Sequence, residues 1–237
     1  AVADGADAIV IRLNTPGGEL MSTLEICRML KADAPANTVA WIDPHAFSAG
    51  TVIALACREI VIAPGGMFGD SAPVSPLGPI PQTERAKIES PLLAEVVDSA
   101  RRNHYDERIV QAFVSLGIEL WLLEDVDTGQ RIAVDRGEYR DIFGDDPPET
   151  IPSITPPAQD APPIAPWFDA ILGGGGGEDI SDMVQRPSSR PRLDASDRND
   201  WTLLGQVVSS DRLLALTPAE SIAYGMVPRT IADENEL

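Results

Sequence analysis

The sequence predicts an α/β fold in which a parallel β-sheet is covered by helices and interrupted by a Pro/Gly-rich acidic insertion carrying β-hairpins. Three observations predict it. Residues 7–116 alternate short apolar runs with helical patterns, a βαβαβ series whose strands lie parallel because helical crossovers join them. Residues 147–191 hold 10 of the 21 prolines and the five-glycine run 173–177, a composition that buries too little apolar area to offset chain entropy. Charge is also split: 9 Lys+Arg against 14 Asp+Glu up to residue 118, and 9 against 23 after it, so −5 and −14.

The elements follow in order. Residues 8–13, Ala-Ile-Val-Ile-Arg-Leu, form a buried strand, residues 20–30 an amphipathic helix, and residues 38–42 the next strand. Residues 49–57 are an apolar helix and residues 59–63 a third strand. Residues 83–114 form a long helical region, expected to break or bend near Pro91. Within residues 119–134 two strands meet at the Asp127-Thr128-Gly129 turn, and residues 201–216 read as another strand pair. Thr217, Pro218 and Glu220 supply an N-cap, a first-turn proline and a capping-box carboxylate, and Gly225 marks the helix stop. The expected organisation is a core at 1–118, an insertion at 119–212 with disorder over about 145–200, and a return of the core at 213–237 with a terminal helix and strand.

Composition excludes several functions. The 237 residues suffice for one large core. A net charge of −19 argues against nucleic acid and anionic membrane surfaces, whose phosphates need a basic face. No run approaches the roughly 20 apolar residues that span a bilayer, and no signal peptide opens the sequence, so this stretch reads as soluble. Cys27 and Cys57 lack metal-type or redox-type spacing and read as small buried hydrophobes. With two separated histidines no metal site is expected, and without a phosphate loop no nucleotide cofactor is expected either.

Two loops leave the ends of the parallel strands, where α/β sheets bind ligands. In Asn14-Thr15-Pro16-Gly17-Gly18 adjacent glycines let backbone N–H groups approach a ligand; an ordinary turn would look the same. In His45-Ala46-Phe47-Ser48-Ala49-Gly50-Thr51 a serine stands at the mouth of an apolar helix. It is either a plain N-cap or a nucleophile, since the helix N-terminus favours negative charge developing beside it. A nucleophile needs a base. His45 lies too near Ser48 in sequence to point back at the same hydroxyl, and His104 falls in the polar stretch Arg101-Arg102-Asn103-His104-Tyr105. The chain has 16 arginines and only two lysines. Lys31 ends a helix and reads as a dipole partner. Lys87, at the start of the long helix, is the remaining candidate, because a desolvated lysine can lose its proton near neutral pH and an arginine cannot.

Together, the Asn-Thr-Pro-Gly-Gly loop, the Phe-Ser-Ala-Gly-Thr loop, Lys87 and the closing Leu216-Thr217-Pro218-Ala219-Glu220 with Gly225 resemble the NfeD-type membrane-bound serine proteases. These are relatives of signal peptide peptidase SppA and, more remotely, of ClpP and the crotonases. The resemblance covers residues 7–116 and 213–231. It implies a ClpP/crotonase-like core, Ser48 as nucleophile, Lys87 as general base, and an oxyanion hole from Gly18, Ala49 and Gly17. It also implies a membrane-associated polypeptide substrate cut in a hydrophobic segment, membrane association and a homo-oligomer. Asn14 replaces the family's usual aspartate, and the core is expected without the family's first strand and helix, its membrane segments or its small β-barrel. Two other readings stay open: a non-catalytic oligomeric scaffold in membrane-protein quality control, and an acyl-CoA-binding crotonase-like enzyme.

Overall fold

The computed structural model describes residues 8–75, 80–148 and 190–236. Strand β1 (Ala8–Thr15) is followed by helix α1 (Leu20–Ala32), β2 (Asn37–Phe47), α2 (Ala49–Ala56), β3 (Glu59–Ile62) and β4 (Met67–Gly69). β2 is the axis of the main sheet. It pairs in parallel with β1 along one edge, and along the other with β3 through Val39–Ile42 and with β4 through His45–Phe47. β8 (Ala215–Leu216) closes the sheet antiparallel to β4. The parallel core expected from the βαβ rhythm is therefore present, with β2 running on to residue 47 and ending directly against Ser48.

Local sequence explains the helices. The Glu19 carboxylate caps α1, accepting from the Met21 and Ser22 amides at 2.8 and 2.7 Å. Every residue of α2 except Ile53 is buried, as an all-apolar helix requires. Lys31 does more than face the end of its own helix: it contacts Glu95 and Asp98 at 2.6 Å each, tying α1 to the next helix, α3 (Gln82–Asn103).

The long helical region breaks at His104, not at Pro91. Pro91 sits inside α3, whereas His104 takes a left-handed conformation with φ 64° and ends it. Asp106 then caps α4 (Glu107–Ala112), accepting from the Arg108 and Ile109 amides. A proline removes one helix hydrogen bond; the new cap and left-handed residue redirect the chain. Phe113 after α4 packs on Phe68 of β4 with ring centroids 5.5 Å apart, inside the principal core.

A second, three-stranded antiparallel sheet holds β5 (Leu120–Asp125) between β6 (Arg131–Val134) and β7 (Trp201–Val208). The β5–β6 hairpin agrees with the Asp-Thr-Gly turn. β7 and β8 do not pair with each other as expected. The link between them is drawn across to the core by Gly117 N–H on Ser210 O and Leu214 N–H on Ala112 O, so each strand joins a different sheet. Helix α5 (Arg136–Phe143), unexpected from the sequence reading, carries an Asp135/Glu138 capping box and ends at Gly144. It covers a small core of Trp121, Leu123, Ile132, Val134, Tyr139, Ile142 and Trp201.

The expected disorder over about 145–200 falls mostly outside the described residues. Where the chain is described it is ordered. Asp146 binds Arg140 at 2.6 Å, residues 195–197 form a 3-10 turn, and Arg190, one-tenth exposed, reaches Glu138 at 2.9 Å and the Ala133 carbonyl. Near the end, Thr217 caps α6 (Pro218–Ala223) in the expected capping box, with Gly225 after it. The expected terminal strand is reduced to a single bridge between Thr230 and Ile62.

Candidate active site

β2, α2, β4 and the β1–α1 loop converge on Ser48. This residue is the N-cap of α2, with φ 51° and ψ −117°, and its side chain makes no capping hydrogen bond. A positive φ on a non-glycine residue costs about 1–3 kcal/mol and persists only where surrounding contacts determine it. Those contacts are explicit. The Ser48 amide donates to Gly69 O at 3.1 Å and Asp70 O at 3.2 Å. Its carbonyl accepts from the Thr51 amide at 3.0 Å and from Ser71 Oγ at 3.2 Å. Thr51 Oγ1, fully buried, accepts from the Gly69 amide at 2.8 Å and stands 2.6 Å from Ala46 O and 2.9 Å from Gly69 O. One hydroxyl therefore joins the end of β2, the first turn of α2 and β4.

The Gly-Gly loop lies against this turn. Gly17 has φ 138°, and a Cβ there would come within 2.9 Å of Ser48 Cβ, so glycine is required both by conformation and by space. Gly50 is needed for space alone, since a Cβ would meet Thr15 Cγ2 at 2.6 Å. The Gly17 amide donates to Thr15 Oγ1 at 3.2 Å. The Gly18 amide has no protein acceptor among the described residues, and Ala49, first residue of α2, directs its amide out of the helix N-terminus.

Ser48, Gly18 and Ala49 line one cavity of about 630 Å³. Leu20, Val52, Val74, Ile80, Ile88 and Leu92 form its apolar wall, and Thr23, Ser71 and Ser75 add hydroxyls. Glu84, Ile88 and Leu92 repeat every four residues along α3, giving that helix one face on the cavity. Lys87 is on the same helix but is exposed and is not among the lining residues. It lies one residue before Ile88, hence about 100° around the helix from it. The structure thus brings Ser48, Gly18 and Ala49 together and leaves Lys87 off that face.

Sequence reasoning missed Thr51 and Ser71 as the residues that fix Ser48. The Thr in Ser-Ala-Gly-Thr and the Gly69-Asp70-Ser71 run were the available signals. It also missed Asp70, half-buried and joined through its carbonyl to the Ser48 amide, and the buried Glu89 of α3. Burial pushes Asp70 and Glu89 above the usual carboxylate range. Glu89, 3% exposed, faces Arg85 at 3.7 Å and Ser115 Oγ at 3.5 Å. The other candidates are placed as expected or neutrally: His45 stacks on Phe47, His104 is exposed, and both cysteines are buried free thiols pushed up to about 12 by desolvation. Among the described residues no helix is long and apolar enough to cross a membrane.

Known proteins share this part of the chain. It is 32% identical over 114 residues to membrane protein NfeD1b of Bacillus subtilis, covering 48% of this chain and 25% of that protein. It is 29% identical over 126 residues to the membrane-bound protease PH1510 of Pyrococcus horikoshii, covering 51% and 28%. A lysine-to-alanine mutant of the 1510-N membrane-bound stomatin-specific protease, solved with a substrate peptide, superposes with a TM-score of 0.42 at 27% identity, over 48% of this chain and 54% of that one. The matched stretch thus spans only about a quarter of the length of the two full relatives. The profile described as NfeD1b, N-terminal domain, matches residues 1–135, which take in the main sheet as far as β4, the Gly-Gly loop, Ser48 and all of α3. By that match the chain belongs to the NfeD1b N-terminal domain family.

Proposed function

We propose that the chain is a serine endopeptidase that cuts hydrophobic segments of membrane-associated polypeptides, with Ser48 as nucleophile and Lys87 as general base. The observation that carries the proposal is the conformation of Ser48: a non-glycine residue held at φ 51° between a strand and a helix, at the wall of an apolar cavity. Lys87, as general base, takes the hydroxyl proton as Ser48 Oγ attacks the peptide carbonyl carbon. The Gly18 and Ala49 amides stabilise the resulting oxyanion. Lys87 returns the proton to the leaving amine as the C–N bond breaks, and water then hydrolyses the acyl-serine. Lys87 is exposed and off the cavity-lining face of α3, so the proposal stands or falls on whether its amine reaches Ser48. Lys31, the other lysine, is held by Glu95 and Asp98, which leaves Lys87 as the available amine.

The name of PH1510 supports a peptidase, both relatives' names place them at a membrane, and the apolar wall suits a hydrophobic substrate segment. A homo-oligomer and membrane association belong to the same proposal. The exposed position of Lys87 favours a second reading, a non-catalytic oligomeric scaffold in membrane-protein quality control. Hydrolysis of a fluorogenic apolar peptide separates the two. The peptidase predicts turnover by the wild type and a loss on the order of 10³-fold or more in both Ser48→Ala and Lys87→Ala. Turnover that survives Ser48→Ala, or none in the wild type, contradicts it.

A further inference from the structure

The charged groups lining the Ser48 cavity are Glu19 and Glu84, and among the described residues no lysine, arginine or histidine lines it. Glu19 is fixed in place. Its carboxylate accepts from the Met21 amide, the Ser22 amide and Ser22 Oγ at 2.7–2.8 Å, and these bonds hold its carboxyl below the usual range. It stands between the Gly-Gly loop and α1, beside the Gly18 amide assigned to the oxyanion. Glu84 lines the same cavity from the first turn of α3, four residues before Ile88. Cations elsewhere on these elements have carboxylates of their own: Arg85 pairs with the buried Glu89, Arg12 with Asp43, and Lys31 with Glu95 and Asp98. A held carboxylate, Glu19, and an exposed one, Glu84, thus border a cavity with an apolar wall, and a cleft lined by one sign of charge attracts the opposite sign.

From this geometry we infer that the cavity selects peptide segments in which an apolar residue is flanked by lysine or arginine, and rejects the same segments flanked by aspartate or glutamate. The apolar side chain lies against Val52, Ile88 and Leu92, and the flanking cation meets Glu19 or Glu84 at the cavity wall. The inference deepens the proposed function, since it rests on the cavity being a peptide site, and it names the class of sequence that site takes.

The test uses the full chain carrying Ser48→Ala, so that binding is read without turnover. Three dye-labelled peptides share one apolar centre and differ in flanking Lys, Gln or Glu; fluorescence polarisation gives their Kd values. The expected order is Lys tightest and Glu weakest, with a Lys-to-Glu ratio on the order of tenfold at low ionic strength. The ratio should collapse at about 1 M salt, where the Debye length is about 3 Å, and shrink when Glu84→Gln is added. Equal binding, tighter binding of the Glu peptide, a ratio unmoved by salt and by Glu84→Gln, or binding of none of the three overturns the inference. Hydrolysis of the same peptides by the wild type is scored separately. Binding with the Lys preference but no cleavage refutes the peptidase and keeps the inference. Cleavage with no charge preference does the reverse.

Discussion

Ser48 was legible because one local pattern carries it, a serine between an apolar strand and an apolar helix in Phe-Ser-Ala-Gly-Thr. The residues that hold it were not. Thr51 and Ser71 act only because β4 returns beside the end of β2, a pairing no local pattern encodes. Thr51 makes a specific demand: its hydroxyl receives the Gly69 amide and lies within reach of two carbonyls, so a valine of similar shape leaves buried polar groups without a partner. Thr51→Val should lower turnover of an apolar peptide at least about tenfold, the equivalent of about 1.4 kcal/mol of transition-state stabilisation, while Thr51→Ser restores it. Steady-state kcat/KM, with circular dichroism to establish that both variants fold, checks this. A valine variant that folds and works like the wild type would remove Thr51 from the site.

At the scale of elements, the βαβαβ rhythm, α1, α2 and the Thr217 capping box were readable because each rests on local apolar spacing or cap chemistry. The break in the long helical region was misplaced, since Pro91 is a visible breaker whereas the left-handed turn at His104 falls in a polar run that looks continuous. α5 was missed although Asp135, Glu138 and Gly144 spell its two ends. α3 also carries an electrostatic cost. The folded chain holds the Glu89 proton to higher pH than the unfolded chain does, because burial disfavours the carboxylate. Between the ordinary glutamate range and the raised folded value, the folded state binds more proton than the unfolded one, so stability falls as pH rises through that window. Glu89→Gln should therefore raise Tm at pH 7 and flatten its decline above pH 4.5, with little change below. Thermal melts across that range check it; a lowered Tm at pH 7 would mean that the Arg85 pairing outweighs desolvation.

At the scale of the whole molecule, the strands of the second half were foreseen as local pairs, but their long-range partners were not. The β5–β7 pairing joins strands separated by the Pro/Gly-rich stretch, and nothing local marks it. What seals the joint is a charge cluster on α5 and the α4 cap: Arg190 reaches Glu138 at 2.9 Å and Asp106 at 3.7 Å, and Arg108 reaches Asp135 at 2.8 Å. Asp106 also accepts from the Ala133 amide at 2.9 Å, so one carboxylate links the cap of α4, β6 and the returning chain. Removing the arginine leaves that carboxylate short of a counter-charge in a site only one-tenth exposed. Arg190→Ala should cost about 1.5–3 kcal/mol, the range for a hydrogen bond to a charged group, read as a lower urea midpoint. A variant as stable as the wild type would make the cluster dispensable.

The parallel core and the loops around Ser48 frame the proposed site, and the role of Lys87 is the feature that decides its proposed chemistry. The most direct test is labelling of the protein by a fluorophosphonate, followed by mass spectrometry of the modified peptide across pH 6–9. The account predicts phosphonylation at Ser48, abolished in Ser48→Ala and strongly reduced in Lys87→Ala at every pH of that range. Labelling of wild type and Lys87→Ala at equal rates would contradict the Ser/Lys pair, and absence of any label on Ser48 would contradict the nucleophile itself.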